Sequence, residues 1–477
     1  MTLRKAWMLA TAALAAGTLV AVAPVPADDQ AAATPSTAPN IVLILTDDQS
    51  YESVRQMPYV SSQDWVKFPN AYAENALCCP ARASILSGQY DWKNKVVNNS
   101  TAQRLDETNT IATWLNNAGY RTALVGKYFN AYPFGEGLYT PPGWDEWHAV
   151  YGMSSYNQYH YTINDNGVTS RYGTAETDYL GDQLINRAVD FIDAVPPGQP
   201  LFLSYTPTST HSPWIPAPRD VGAFKGVAMP KYANLNEEDV SDKPAWVQAL
   251  PLLDLKDQNR KRRREWTATL NVDLAVKEID AALAATGRLD NTVVIFMTDN
   301  GYAFGAHRER AKRCPYEECA HLPFLVRYPH QAERVNHRLV SIVDVASTLA
   351  DIAGVTPTIP QDGRSLVPLI TRQKTSWRDA ILQHWIGSTA TGGPSTSNVD
   401  TPIPAFWGLR TRRYRYVELE TGEKELYDLR HDPFEMRNGV NDEAYTTVVV
   451  ALAAKLDTMK GPDMPVPAVV ITNQPRD

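Results

Sequence analysis

Residues 40–48 read NIVLILTDD, an unbroken apolar run that ends abruptly at a threonine and two aspartates. A run of this length with β-branched residues predicts a strand that is buried on both faces. Two later stretches follow the same plan: residues 292–300 read TVVIFMTDN, and residues 200–211 read PLFLSYTPTSTH. Apolar strands that end in polar clusters are typical of an open α/β sheet whose site lies at the strand carboxyl ends.

The rest of the chain divides into a large region and a smaller one. After about residue 370 the long apolar runs give way to alternating, half-exposed patterns. We therefore predict a catalytic α/β domain over residues 39–375 and a small α+β subdomain over residues 376–477. The other predicted elements are two helices, two strands and a last helix, at residues 178–194, 259–285, 412–419, 424–429 and 444–459.

Composition and charge exclude some classes of partner. The chain has 477 residues, 44% of them hydrophobic and 21% charged, as in an ordinary soluble globular protein. Its formal net charge of −8 argues against nucleic acid or an acidic membrane held by bulk electrostatics. The basic run RKRRR at 260–264 opens a predicted helix. We interpret it as a solvated helix face, with a nucleic-acid patch as the alternative.

The N-terminus predicts export. Residues 1–27 hold two basic residues, a nearly apolar stretch and the small residues VPA, as a signal peptide requires. An uncleaved membrane anchor is the alternative. Residues 28–38 predict a flexible linker. We expect a secreted, periplasmic or cell-envelope protein with no stable membrane span after cleavage.

Four cysteines are present. Cys314 and Cys319 are close enough for a local disulfide, which export would permit, and two free buried thiols are the alternative. The spacing disfavours zinc. Cys78 and Cys79 open the stretch CCPARASILSG, in which Pro80 suits the first position of a helix and glycine its end. Cys78 would then lie at the helix N-terminus, where unpaired backbone amides favour an anion. The alternative is that Cys78 and Cys79 are two ordinary buried cysteines before a helix.

The pattern Cys-x-Pro-x-Arg, followed by a small residue, two hydrophobic residues and glycine, resembles the signature of the sulfatase family. The resemblance implies an alkaline-phosphatase-like α/β fold, with a mixed, mostly parallel central sheet flanked by helices. It also implies that a formylglycine-generating enzyme oxidises Cys78 to formylglycine (3-oxoalanine) while this segment is unfolded. Only Cys78 fits the register, because Cys79 is directly followed by Pro80.

The implied reaction requires an aldehyde and a cation. When the aldehyde is hydrated, one of its two hydroxyls attacks sulfur, and the other later expels sulfate as the carbonyl re-forms. A divalent ion offsets the negative charge. The ligands implied by the resemblance are Asp47, Asp48, Asp299, Asn300 and the oxygen derived from Cys78. Such hard oxygens suit Ca²⁺, with Mg²⁺ as the alternative. Taken alone, two aspartates after a strand are an ordinary loop cap.

The resemblance also implies a set of cationic and acid–base residues. Those that match in family order are Arg82, which braces the formylglycine, and the substrate contacts Lys127, His211 and Lys312. Many sulfatases carry a histidine where this chain has Phe129, so that contact is lost. His307, in GAHR at 305–308, is a candidate acid or substrate contact, with a structural loop histidine as the alternative.

Further segments are similar to the N-acetylglucosamine-6-sulfatase branch of the family. Among them is VVNN at 96–99, in which Asn98 and Asn99 are candidate sugar contacts or plain turn residues. The predicted function is therefore hydrolysis of sulfate monoesters on a sulfated carbohydrate or aryl sulfate. The alternatives are a formylglycine-dependent phosphodiesterase or phosphonate hydrolase of the same superfamily and a non-catalytic carbohydrate-binding relative.

Overall fold

The computed structural model describes residues 38–135, 137–387 and 403–460, with only the backbone of 153–155. The predicted signal peptide and all but the last residue of the predicted linker lie outside these residues. Within them, no helix is both long and apolar enough to cross a membrane.

The strands are numbered in chain order: β1 Asn40–Thr46, β2 Val66–Lys67, β3 Ala71–Tyr72, β4 Arg121–Gly126, β5 Glu146–Val150, β6 Thr162–Asp165, β7 Val168–Arg171, β8 Leu201–Thr206, β9 Thr292–Thr298, β10 His321–Leu322, β11 Phe324–Arg327, β12 Arg334–Val335, β13 Val340–Ser341, β14 Ala380–Trp385, β15 Phe406–Thr411, β16 Tyr414–Leu419 and β17 Lys424–Asp428.

The α-helices are α1 Pro58–Ser62, α2 Cys78–Ser87, α3 Asp91–Asn94, α4 Ile111–Asn117, α5 Leu180–Ala194, α6 Ala245–Gln248, α7 Leu255–Ala285, α8 Glu317–Ala320, α9 Asp344–Ala353, α10 Val367–Ile370 and α11 Thr446–Lys460. Short 3₁₀ helices span Tyr51–Gln56, Ala102–Arg104, Gly152–Asn157, Glu176–Asp178, Pro218–Asp220, Leu289–Asn291 and Glu443–Tyr445.

A ten-stranded sheet forms the core, in the order β12-β2-β11-β9-β1-β8-β4-β5-β6-β7. Its centre, from β9 to β5, is parallel, and antiparallel pairs lie towards both edges. Both faces of β1 are buried, as its unbroken apolar sequence predicted. The mixed, mostly parallel sheet flanked by helices is therefore confirmed. A smaller sheet joins β10, β3 and β13.

The two faces of the central sheet pack against different helices. Ile41 and Leu43 of β1 point into a cluster with α2, α4 and α9, whereas Val42 and Ile44 point into a cluster with α5 and α7. The alternation follows from the period of two residues along a strand. Helix α7 begins four residues before the predicted start at 259, because the Asp254 side chain accepts a hydrogen bond from the Lys256 amide and caps it.

The C-terminal part forms the antiparallel sheet β14-β15-β16-β17, covered on one side by α11. The strands and the helix predicted after residue 410 are present, with shifts of one or two residues at their ends. Side chains of this sheet share a hydrophobic cluster with residues that border Cys78, such as Leu77. The described chain is one compact unit from Ala38 onward. The boundary at residue 376 stays a prediction.

Candidate active site

The acidic ends of β1 and β9 meet because these strands are parallel neighbours in register, with Thr46 paired to Thr298. Asp47 and Asp48 therefore emerge beside Asp299. Asp48 adopts a left-handed backbone conformation, with φ of 58°. Its backbone amide donates a hydrogen bond to Asp299 Oδ1 at 3.2 Å, and Asp48 Oδ1 accepts one from the side-chain Nδ2 of Asn300 at 2.7 Å.

Helix α2 brings Cys78 to these acids. Its Sγ lies 3.7 Å from Asp47 Oδ1 and 3.9 Å from Asp48 Oδ1. The helix begins at Cys78 itself and not at Pro80 as expected, and it ends at Gly88 in a left-handed cap. Cys79 points elsewhere, since its Sγ accepts a hydrogen bond from the Asn130 amide and packs in the core. The two adjacent cysteines therefore occupy different environments.

Three buried cations surround the acids. Lys127 Nζ lies 2.7 Å from Asp47 Oδ2. Lys312 Nζ lies 2.5 Å from Asp48 Oδ1 and 2.8 Å from Cys78 Sγ. The third cation, Arg82, is one turn along α2 from Cys78. Its Nε donates to Asp299 Oδ2 at 2.8 Å, and its Nη1 donates to the Lys127 carbonyl at 2.9 Å.

Burial and charge set the protonation states of this cluster. Burial alone would raise the pKa of Asp47, but nearby Lys127 and the other cations hold it far below its ordinary value. Burial opposes a charged Lys127 and Lys312 as well, yet the neighbouring carboxylates raise the pKa of both above the usual range. For Cys78, burial outweighs the two lysines and raises the pKa to about 12. An unmodified thiol here is therefore neutral at ordinary pH and a weak nucleophile.

His211 approaches from the loop after β8. Its Nε2 lies 3.4 Å from Asp48 Oδ2, while Nδ1 and the Ser212 carbonyl are 2.6 Å apart. The adjacent Thr210 hydroxyl donates to the Asp47 carbonyl at 2.7 Å and so ties this loop to β1. Burial lowers the pKa of His211, although Asp48 and Asp47 act against this shift. A largely neutral imidazole therefore faces the acidic cluster.

Tyr156 is a site residue that the sequence analysis missed. Its ring stacks on His211 with the centroids 3.9 Å apart and the planes 17° apart, and Lys127 Nζ lies 5.3 Å from its centroid. Tyr156 comes from the 3₁₀ helix Gly152–Asn157, where no motif points to a role. Phe129, which stands where many sulfatases carry a histidine, packs instead among core aromatics such as Tyr128.

The structure does not bring His307 into this cluster. Its buried ring contacts Glu237 through Nδ1, at 2.6 Å, and Asn234 through Nε2, at 3.3 Å. It also packs against the ring of Tyr316. Among the described residues, none of its hydrogen bonds, ion pairs or ring contacts involves Cys78 or the acids around it. This geometry matches the structural alternative, and a catalytic role for His307 stays a prediction.

Asn98 and Asn99 lie close to the start of α2. Asn99 Oδ1 accepts a hydrogen bond from the Cys79 amide at 3.0 Å and so caps the helix. Asn98 is buried, and its Oδ1 accepts one from the Ser100 amide at 2.8 Å. Both contacts are those of turn and cap residues. Near Lys312, Cys314 and Cys319 form a disulfide.

The acidic cluster offers oxygen ligands for a hard cation. Ligand atoms of Asp47, Asp48, Cys78 and His211 lie within 4.8 Å of one another. The Asn300 Oδ1 atom is buried without a hydrogen-bond partner, as expected of an oxygen that coordinates an ion. Three carboxylates and an amide oxygen fit Ca²⁺ or Mg²⁺ better than zinc.

Comparison with known proteins agrees with this geometry. The sulfatase family model matches residues 39–355, and a second model, N-sulphoglucosamine sulphohydrolase, C-terminal, matches residues 305–461. Human N-acetylglucosamine-6-sulfatase is 34% identical over 451 residues, covering 84% of this chain and 80% of that protein.

Solved structures share the fold. One, of a protein in complex with its substrate D-glucosamine-2-N,6-O-disulfate, has a TM-score of 0.76 at 23% identity and covers 89% of this chain and 97% of its own. Another, the phosphonate monoester hydrolase of Agrobacterium radiobacter, has a TM-score of 0.71 at 21% identity. The match covers 88% of this chain and 95% of that protein. Because both identities are low, these likenesses show the fold alone.

Proposed function

The chain belongs to the sulfatase family and is a sulfuric ester hydrolase, and from this premise we propose that it acts on a sulfated sugar of the N-acetylglucosamine-6-sulfate type. The observation that carries the proposal is that Lys312, Asp47 and Asp48 lie within 4 Å of Cys78 Sγ. Lys127 pairs with Asp47, and Asp299 and Asn300 contact Asp48. The sugar class is supported by the 34% identity to human N-acetylglucosamine-6-sulfatase over most of both chains.

The nucleophile would derive from Cys78. Its Sγ occupies the position that an oxygen on the same carbon would take after oxidation to 3-oxoalanine. Hydrated, that group supplies one hydroxyl to attack sulfur and a second to expel sulfate, which a thiol cannot do. The high pKa of the thiol supports this assignment, because a neutral thiol is a poor nucleophile.

The modification would precede folding. Cys78 is only 1% exposed in the folded chain, so an enzyme that oxidises it needs the segment unfolded. We therefore propose a formylglycine-generating enzyme as a partner. Export through the signal peptide at residues 1–27 is part of the same proposal, supported by the sequence pattern of that segment.

A divalent cation, Ca²⁺ or Mg²⁺, would be held by Asp47, Asp48, Asp299 and Asn300. When bound, it supplies Lewis acidity that offsets the charge of the sulfate group. Arg82 keeps Asp299 in place and, through the Lys127 carbonyl, orients the loop that carries this lysine.

The lysines and the histidine have separate tasks in this mechanism. Lys127 and Lys312 provide fixed positive charge in a water-poor pocket, where it stabilises the developing negative charge on the sulfate oxygens. His211 Nε2 would face the oxygen of the leaving alcohol, and it can donate a proton there only as the imidazolium, because its Nδ1 hydrogen is turned to the Ser212 carbonyl. Tyr156 holds the imidazole ring in place by stacking.

A second candidate activity is hydrolysis of phosphonate monoesters or phosphodiesters at the same site. The Agrobacterium phosphonate monoester hydrolase shares the fold, so this activity is the one to test beside sulfate ester hydrolysis. Comparing kcat/KM for an aryl sulfate, an aryl phosphodiester and N-acetylglucosamine-6-sulfate separates the two. A higher value for the phosphodiester than for both sulfates would reject the sulfatase assignment.

Peptide mass spectrometry of the segment that contains Cys78 tests the nucleophile. We expect a peptide with 3-oxoalanine at residue 78 and an unmodified cysteine at 79 in active protein. Cys78→Ala should abolish turnover and keep the fold, whereas the matched Cys79→Ala should keep measurable turnover. Active protein with an intact thiol at residue 78 would overturn the proposed mechanism.

A further inference from the structure

A groove of about 350 Å³ lies at the edge of the central sheet, outside the candidate active site. It lies between the edge strand β12 and the segment that follows α10. The order β12-β2-β11-β9-β1 places it four strand spacings from β1, which is roughly 19 Å along the sheet. Its polar lining consists of four cations, two amides and a hydroxyl: Arg334, Arg338, Arg372, Lys374, Asn336, Gln373 and Thr375.

The groove is built from fixed backbone on both sides. The half-buried Arg334 donates hydrogen bonds to the Leu369 carbonyl, at 2.9 Å, and to the Ile370 carbonyl at the end of α10. The Asn336 side chain donates to the same Leu369 carbonyl at 3.3 Å. The turn that carries Arg372 closes through a hydrogen bond from the Gln373 amide to the Pro368 carbonyl.

Its positive charge has no ion-pair partner among the residues that the structure describes. No acidic residue lines the groove, and none of its four cations forms an ion pair with a carboxylate in the described parts of the chain. The nearest acid in sequence, Glu333, pairs with Lys67. Burial and the neighbouring Arg372 both lower the pKa of Arg334.

The basic run at 260–264 differs from the groove because most of its cations form ion pairs with acidic residues. Arg260 and Lys261 pair with Asp257, and Arg262 pairs with Glu52. Three of the five cations of this run therefore have an acidic partner in the fold. Cations from residues 334, 338, 372 and 374, which form no run in the sequence, instead make an uncompensated positive groove on a protein of net charge −8.

We propose that this groove binds an anionic, sulfated polysaccharide, so that a polymer held there delivers its sulfated sugars to the site near Cys78. Guanidinium and ammonium groups match sulfate charges, while the amides and the hydroxyl suit sugar hydroxyls. The lining has no aromatic ring on which a nucleic-acid base would stack. The inference rests on the proposed function for the delivery step, but binding in the groove is independent of catalysis.

Binding of the full-length chain to heparin at low ionic strength, measured by calorimetry, tests the proposal. The groove variant is Arg338→Ala/Arg372→Ala/Lys374→Ala, and all three side chains are exposed. The matched control is Arg260→Ala/Lys261→Ala/Arg264→Ala, which removes the same charge elsewhere. We expect about tenfold weaker binding for the groove variant, since three exposed charge contacts are lost, and less than a twofold change for the control.

Equal losses in the two variants, or no loss in the groove variant, would overturn the proposal. So would single-stranded DNA that competes with heparin as well as a sulfated polysaccharide does. On a small aryl sulfate both variants should keep the wild-type kcat, whereas KM for a sulfated polysaccharide should rise in the groove variant only. If the wild type hydrolyses no sulfate ester but shows the groove-dependent heparin binding, the proposed function fails and the groove assignment stands.

Discussion

Lys312→Met should remove most of the activity, because this lysine contacts both the nucleophile position and an acidic ligand. Its Nζ lies 2.8 Å from Cys78 Sγ and 2.5 Å from Asp48 Oδ1. Two unit charges about 3 Å apart interact by roughly 5 kcal/mol at an effective dielectric constant of about 20, which is an upper bound. Mutational losses of one preorganised charge-stabilising group are about 3–4 kcal/mol, so we expect kcat to fall about 100- to 1,000-fold.

The assay is steady-state hydrolysis of an aryl sulfate by protein whose residue 78 has been checked by mass spectrometry. Lys225→Met is the matched control, since Lys225 is exposed and should leave kcat unchanged. Far-ultraviolet circular dichroism establishes that the variant is folded at the assay temperature, because breaking a buried ion pair also costs stability. A folded Lys312→Met protein with kcat within about threefold of wild type would refute the electrostatic role of Lys312.

Three further outcomes are expected. Tyr156→Leu removes the ring that stacks on His211, worth about 1 kcal/mol, so kcat should fall about fivefold to tenfold and its pH profile should shift. Tyr156→Phe keeps the ring and loses only the hydroxyl hydrogen bond with Lys127, so its kcat should fall less, and equal losses would contradict the stacking role. Chelation of divalent ions should abolish activity and lower the melting temperature. Added Ca²⁺ should restore both in the wild type but not in Asn300→Ala. Full activity after exhaustive chelation would exclude the proposed ion. Burial raises the pKa of Glu265 from 4.5 to about 7, so its stabilising effect is complete below about pH 4.5 and is lost as the pH rises through 7. The contribution of Glu265 to the unfolding free energy should therefore fall by about 3 kcal/mol over this interval. Chemical denaturation at several pH values should show a smaller fall in Glu265→Gln than in the wild type, and equal falls would contradict the shift.

The sequence was informative where the physical cause is local. The apolar runs at 40–45 and 292–297 predicted two buried strands, and the structure has them as Asn40–Thr46 and Thr292–Thr298. Burial on both faces leaves a continuous hydrophobic pattern that needs no knowledge of the partners. In the same way, Gly88 marks the end of α2, because a left-handed cap favours glycine.

The sequence was less informative where the physical cause is a contact between distant parts of the chain. His307 lies five residues before Lys312, yet its ring pairs with Glu237, while the lysine reaches Cys78. Tyr156 carries no motif and enters the site only because its 3₁₀ helix packs over the loop of His211. These contacts join residues far apart in the chain, so no local pattern encodes them.

The sequence by itself determined the central strands β1, β8 and β9, the helix that carries Cys78, and the kinds of residue available for a metal and an anion. Only the tertiary structure decided which of them meet. The position of β1 between β8 and β9 brings Asp47, His211 and Asp299 to one edge, and the packing of Cys79 into the core leaves Cys78 alone among the charges. The reason is physical: strand formation depends on neighbours in sequence, whereas the electrostatics of a buried site depend on charges that only the order of strands brings within a few ångströms.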